Sequence, residues 1–208
     1  MIFSARGSWR VAQKTLAQQA RKALGLIKPV LIRYSPLPPN TLLKVFDTKI
    51  LPVVNYGSEL WCFENRRENG RESDILHHKF CKWILRVHHT MPNNIARGEL
   101  GRHSLIGQQH ARALKYWTRL TAMPDTRLTK AYIWQLGWCE RNITCWTGHI
   151  RKLLCSYGFG EVWYAQGISC NCSFFSMFRQ RTQDKVSQTW GEDMYSHDRF
   201  RTYRIFKT

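Results

Sequence analysis

Apolar residues return every three or four positions along most of this chain, and nowhere do apolar and polar residues alternate over a sustained run. A spacing near 3.6 gathers such residues on one side of a helix, whereas a half-buried strand needs a spacing of two. The chain is therefore expected to be all-α, an irregular multi-helix bundle with no substantial sheet. Hydrophobic content of 43% with nine tryptophans argues for a packed core over a disordered tail. At 208 residues there is material for one good core or two small ones.

Ser8 is placed to cap a first helix, whose apolar side is Leu16, Ala20, Leu24, Ile27 and Leu31. Arg10, Lys14, Arg21 and Lys28 fall on a different side. Pro36, Pro38 and Pro39 then break the chain. A second helix carries Leu42, Phe46 and Ile50. The same spacing resumes in Val53, Val54, Leu60 and Trp61, so Pro52 is expected to kink a helix that continues onward. Asn65–Gly70 reads as a polar loop. Leu76, Phe80, Trp83, Ile84 and Val87 define a helix from Glu72, with Lys79, Lys82 and Arg86 beside its apolar face. Pro92 suits the first turn of a short helix ending at Gly101.

Ser104 caps the clearest pattern. Ile106, His110, Ala113, Trp117 and Leu120 face inward there, while Gln108, Arg112, Lys115 and Arg119 face outward. A turn at Met123–Arg127 divides a larger region, 1–123, from a C-terminal one, 127–208. Shorter helical patterns follow around Leu128–Leu136, Cys145–Cys155 and Phe174–Trp190.

Charge narrows the partners. Lys and Arg number 32 against 14 Asp and Glu, a formal net charge of +18. Such an excess draws polyanions, of which nucleic acid is the commonest. No apolar run approaches the ~18 residues of a membrane span, and the start lacks the two parts of a secretory signal. The chain reads as intracellular, with nucleus and cytoplasm both open. Its seven cysteines, an odd number, read as reduced and mostly buried thiols.

Leu42–Trp61, LLKVFDTKILPVVNYGSELW, resembles the LFD-x-KI-x-P-x-x-x-YGSE-x-W signature that follows the polymerase palm in LINE-type, non-LTR retrotransposon reverse transcriptases. The resemblance continues through KFCKWILRVHHTMPNNIARGELGRHSL (Lys79–Leu105), RALKYWTRL (Arg112–Leu120), SYGFGEVWYAQG (Ser156–Gly167) and RTYRIFK (Arg201–Lys207), in the family's order. It implies a piece of an RNA-directed DNA polymerase: a thumb-like helical region after a missing palm, then a C-terminal helical region cut short. The family's thumb grips a template–primer duplex by its phosphates, so the implied partner is an RNA–DNA hybrid or other duplex, held without sequence selection. A palm supplied in trans is a further partner the resemblance allows. The alternative is a decayed remnant with no selected activity.

No enzymatic role is expected. Polymerases hold two metal ions with clustered carboxylates, and the family carries these upstream, on the palm. The one adjacent acidic pair is Glu192-Asp193, beside Gly191, and reads as a solvated surface pair. Asp47 stands alone and is expected to order a helix or pair with Lys44. No GxxxxGK[ST] loop is present and no cofactor is implied. His77 with Cys81, and Cys145 with His149, have the i, i+4 spacing from which one helix can chelate zinc. The wider Cys/His intervals do not reproduce a knuckle, so buried thiols and ordinary histidines are the better reading, with no metal.

The expected nucleic-acid contacts are the basic residues of three helices: Arg10, Lys14, Arg21 and Lys28; Lys79 and Lys82; Arg112, Lys115 and Arg119. Phosphate contacts by such side chains position a duplex without reading it. The last three are expected to lie on a free face whose replacement leaves the melt unchanged. Trp61, Trp83 and Trp117 sit at apolar positions and read as core. Tyr116 is left open for stacking on a base.

Overall fold

The computed structural model describes residues 8–34, 37–64, 72–130, 145–165 and 172–196. The expected loop at Asn65–Gly70, most of the Leu128–Leu136 pattern and the RTYRIFK block lie outside the described residues. Within them there are ten α-helices and no strand, so the fold is all-α.

α1 (Arg10–Arg33) buries Ala12, Ala17, Ala20, Leu24 and Leu31, close to the expected face. No acid occupies its first turn. Glu64 supplies one from a distance: its carboxylate accepts the Trp9 N–H at 2.8 and 3.1 Å and the Ser8 hydroxyl at 2.5 Å. A carboxylate there complements the positive end of the helix dipole. Ser8 itself accepts from the Arg10 N–H at 3.3 Å.

α2 (Pro39–Val45) runs through a π-helical turn, Phe46–Ile50, into α3 (Leu51–Val54). In that wide turn the Leu51 N–H reaches back five residues to the Phe46 carbonyl. Pro52 thereby occupies the first turn of α3, where it has no intrahelical donor to lose. Phe46 and Ile50, on the wide turn, are fully buried. The expected continuation into the YGSE motif does not occur. Asn55–Gly57 is a turn, Gly57 has φ +66°, and a separate short helix, α4 (Ser58–Trp61), begins after it. A left-handed residue cannot propagate the helix, and glycine adopts it without a Cβ clash.

α5 (Glu72–Ile84) is the central helix of the first core. Leu76 and Phe80 join Ala20, Leu24, Leu43, Phe46, Ile50, Val54 and Leu105 in one apolar cluster. α6 (Asn93–Glu99) starts after Pro92 and gives way at Leu100–Gly101, where Gly101 has φ +61°. The entry to α7 (Ile106–Thr121) is tied to α5, because the buried Asp74 accepts the Ser104 hydroxyl and the Leu105 N–H, both at 3.2 Å.

The second cluster is built by α7 with α8 (Trp146–Ser156), α9 (Gly160–Tyr164) and α10 (Cys172–Ser196). Ala113, Leu114 and Trp117 meet Ile150, Leu153, Leu154, Phe159, Trp163, Phe174 and Phe178 there. Apolar contact therefore runs across the Met123–Arg127 turn. α10 has almost no single apolar face. Its inward residues Phe174, Phe178, Thr182, Val186 and Trp190 recur every fourth position. Each such step rotates the stripe by roughly 40°, so it winds around the helix and meets different neighbours along its length.

One of those meetings is at Gly107, where an added Cβ would lie 2.6 Å from Thr182 Cγ2. Thr182 is buried and its hydroxyl donates to the Phe178 carbonyl at 2.8 Å, so it has little room to turn. Gly107→Ala is expected to destabilise by about 1–3 kcal/mol, as overpacking does. Gly191→Ala, on α10 with nothing within 4 Å of its added Cβ, is the control. It should gain up to about 1 kcal/mol from the better helix former. Equal melts for Gly107→Ala and the parent would refute the close approach.

Candidate nucleic-acid interface

The nine expected basic residues divide by what already holds them. Arg10, Lys14 and Lys79 are exposed, and among the described residues their charged groups make no hydrogen bond or ion pair. The rest of the α1 row is engaged. Arg21 pairs with Glu72 at 2.5 Å, and the Lys28 ammonium lies 5.0 Å from the Trp83 ring centroid. Partial burial lowers the pKa of Lys28. Lys82 donates to the His89 carbonyl at 2.8 Å, and burial lowers its pKa as well.

The α7 row is exposed but not idle. Arg112 donates to the Asn55 carbonyl at 3.1 Å, Lys115 lies 5.7 Å from the Phe175 ring, and Arg119 lies 5.2 Å from the Tyr116 ring. Arg112 thus closes the Asn55–Gly57 turn onto α7, and the triple replacement should lower the melt instead of leaving it unchanged. Tyr116 is half-buried, with its ring edge-to-face against Trp146 at 5.8 Å. Trp117 and Trp61 are core, 1% and 4% exposed, whereas Trp83 is half-buried under Lys28.

The acid of the LFD-x-KI motif also has a different partner from the expected one. Both oxygens of Asp47 are taken by the guanidinium of Arg102, with Nη1 at 2.9 Å from Oδ2, and not by Lys44. A planar fork matches a carboxylate in a way that an exposed lysine three residues away cannot. Leu42–Trp61 is joined twice more to α7. Gln109 donates to Asn55 Oδ1 at 3.0 Å, and the Arg112 bond meets the same residue's backbone.

The two Cys/His pairs have structural work. His77 is 0% exposed and stacks on Phe46 at 5.3 Å. Desolvation, helped by Arg102, His78 and Arg97, lowers its pKa to about 3, so the ring is neutral. Burial pushes the Cys81 thiol up to about 11. Cys145 caps α8 by accepting the Gly148 N–H at 3.4 Å, and His149 stacks on Phe63 at 5.3 Å. Among the described residues no three His, Cys, Asp or Glu side chains converge on one point. Cys62 and Cys81 are buried, Cys145 is half-buried and Cys155 is exposed, all as free thiols. Glu192 is exposed on α10.

Sequence reasoning missed four cations, Arg97, Arg102, Arg179 and Lys185, that the fold brings to Arg112 and Lys115. Two cavities, of about 440 and 450 Å³, flank α10 where it crosses α7 and the Gly101–Leu105 stretch. Arg97, Arg102, Arg112, Lys115, Arg179 and Lys185 line one or both, and among the described residues no carboxylate lines either. Arg102 lies in irregular backbone, and Arg179 and Lys185 ride a helix whose stripe winds. No periodic pattern could have grouped them. No helix among the described residues is long and apolar enough to cross a membrane. Comparison of the chain with known protein families, with curated proteins and with solved structures finds no match.

Proposed function

We propose that this chain binds nucleic acid without performing chemistry on it, as a thumb-like helical part of a LINE-type reverse transcriptase. Its ligand is an RNA–DNA hybrid or other duplex, held by the phosphates. The observation that supports this best is the set of exposed, unengaged cations on α1 and α5, in a chain of net charge +18. The two helices are held together by Arg21–Glu72 and by Lys28 over Trp83, so Arg10, Lys14 and Lys79 stand on a braced surface. Cations already spent on internal partners contribute less, because a phosphate would have to replace an existing bond. The five sequence blocks supply the lineage. No clustered carboxylates accompany them to hold catalytic magnesium, so no nucleotide incorporation on a primed RNA template is expected.

The test is fluorescence anisotropy with a labelled hybrid at several salt concentrations. Dissociation constants of roughly 10⁻⁴–10⁻⁶ M at physiological salt are expected for contacts of this kind. Replacing Arg10, Lys14 and Lys79 together by Gln should weaken binding and flatten the log-affinity against log-salt slope by about 2–3, since each neutralised phosphate contributes about 0.9. The melt should not move, because none of the three has a partner to lose among the described residues. An unchanged slope would remove these residues from the interface.

A further inference from the structure

We propose that the cavity between α7 and α10, floored by His77, binds the phosphate end of a nucleotide, either a free nucleotide or the 5′-phosphorylated end of a strand. The site goes beyond duplex binding and does not depend on it. Arg102, Arg112, Lys115 and Arg179 line the cavity, His103 adds an imidazole, and no Asp or Glu among the described residues lines it. Of the acids bonded to lining residues, Asp47 is already spent on Arg102, and the buried Asp74 is held by the Ser104 hydroxyl and the Leu105 N–H. Arg179 is exposed at the rim and makes no hydrogen bond or ion pair among the described residues. Arg102 is neutralised by Asp47, but Arg112, Lys115 and Arg179 have no ion pair among the described residues, and a dianion relieves the repulsion among these three. Guanidinium forks match the oxygens of a phosphate two at a time.

The floor supplies an independent sign of a missing polar partner. His77 is fully buried, and neither of its ring nitrogens has a hydrogen-bond partner. A neutral imidazole carries one N–H donor and one lone pair, and a buried polar group left unpaired is costly. His77 lines the cavity with both nitrogens closed to solvent, so a ligand oxygen meets this N–H once the side chains over it give way. Size points the same way. At about 450 Å³ the space is far larger than a lone phosphate needs and falls among ordinary small-ligand pockets. Gln108 and Gln183 line it as well, and their carboxamides give donors and acceptors for a sugar or base.

Calorimetry on the full chain tests this with three probes: a nucleoside triphosphate, a 5′-phosphorylated single-stranded hexanucleotide, and the same hexanucleotide with a 5′-hydroxyl. The triphosphate or the phosphorylated strand should bind at least about tenfold more tightly than the hydroxyl strand, the value of a charge-assisted bond. Whichever of the two binds tighter identifies the source of the phosphate. Arg179→Gln should cut that affinity by about tenfold with an unchanged melt. Arg10→Gln with Lys14→Gln should leave it intact, which separates this site from the duplex surface. In the parent, the ring signals of a histidine should shift as the probe saturates. Absence of binding at millimolar probe, equal affinity for the phosphate and hydroxyl strands, or an unaffected Arg179→Gln variant would each overturn the proposal.

Discussion

Trp117→Ala should lower the stability of the fold by about 3–5 kcal/mol, the usual cost of emptying a large aromatic site. The indole is 1% exposed and stacks on Trp163 at 5.8 Å with 22° between the planes. It stands in the cluster through which α7 meets α8, α9 and α10, with Leu114, Ile150 and Leu154 also fully buried there. Four helices therefore lose packing at once. For a domain of this size each kcal/mol moves the melting temperature by about 2–4 °C, so a fall of roughly 10 °C or more is expected. Trp163→Ala should be strongly non-additive with it, because the two rings share one contact. A circular-dichroism melt decides the matter, and a drop of only a degree or two would mean that the indole is not core.

A comparable loss is expected from acid alone. His77 and His78 are 0% and 4% exposed, and burial holds their pKa values at about 3 and about 4, against 6.5 for an ordinary histidine. Both rings are neutral in the fold, while in the unfolded chain each takes up a proton below pH 6.5. The unfolded state then binds more protons, so stability is full above that pH and falls as pH drops toward the folded values. Each group loses about 1.4 kcal/mol per pH unit across that window, or about 5 kcal/mol for the pair near pH 4.5. That is a large share of the roughly 5–15 kcal/mol holding a typical domain. Urea titrations at pH 7 and pH 4.5 measure it directly. Replacing both histidines by Gln should flatten the dependence, and a parent equally stable at both pH values would show that these rings are not buried neutral.

The helical spacing made most of the architecture legible, and the departures have one cause. In α7 the inner face is centred on Gln109, Ala113, Leu114, Trp117 and Leu120, with Ile106 and His110 only half-buried. Gln109 goes inside because Asn55 waits there for its amide, 54 residues earlier in the chain. In α5 the apolar pattern revealed Leu76 and Phe80 but not the burial of Ser73, Asp74, His77 and His78. Asp74 tolerates burial because Ser104 and the Leu105 N–H reach it from outside any local window. The site was legible in the same partial way. A row of cations on a helix shows which residues point outward. It does not show that Glu72, Trp83 or Asn55 will arrive to occupy Arg21, Lys28 and Arg112. Arg112 and Lys115 were legible as a helix row, but their grouping with Arg97, Arg102, Arg179 and Lys185 was not, because these come from other segments brought together only by the crossing of α10.

The ties Asp47–Arg102, Asn55–Gln109 and Arg21–Glu72 span 55, 54 and 51 residues. The pieces they join are short: α3 and α4 have four residues each and α6 has seven. Helices below about 12–15 residues are marginal in water by themselves. These segments therefore gain order only as the long closures form, and the entropy of those closures falls due before the reward. Refolding should consequently run slower than in helical proteins built from neighbouring hairpins. The rate-limiting event is the docking of the Asp47 and Asn55 segments onto the residues around Arg102 and Gln109, long after α1 has begun to wind.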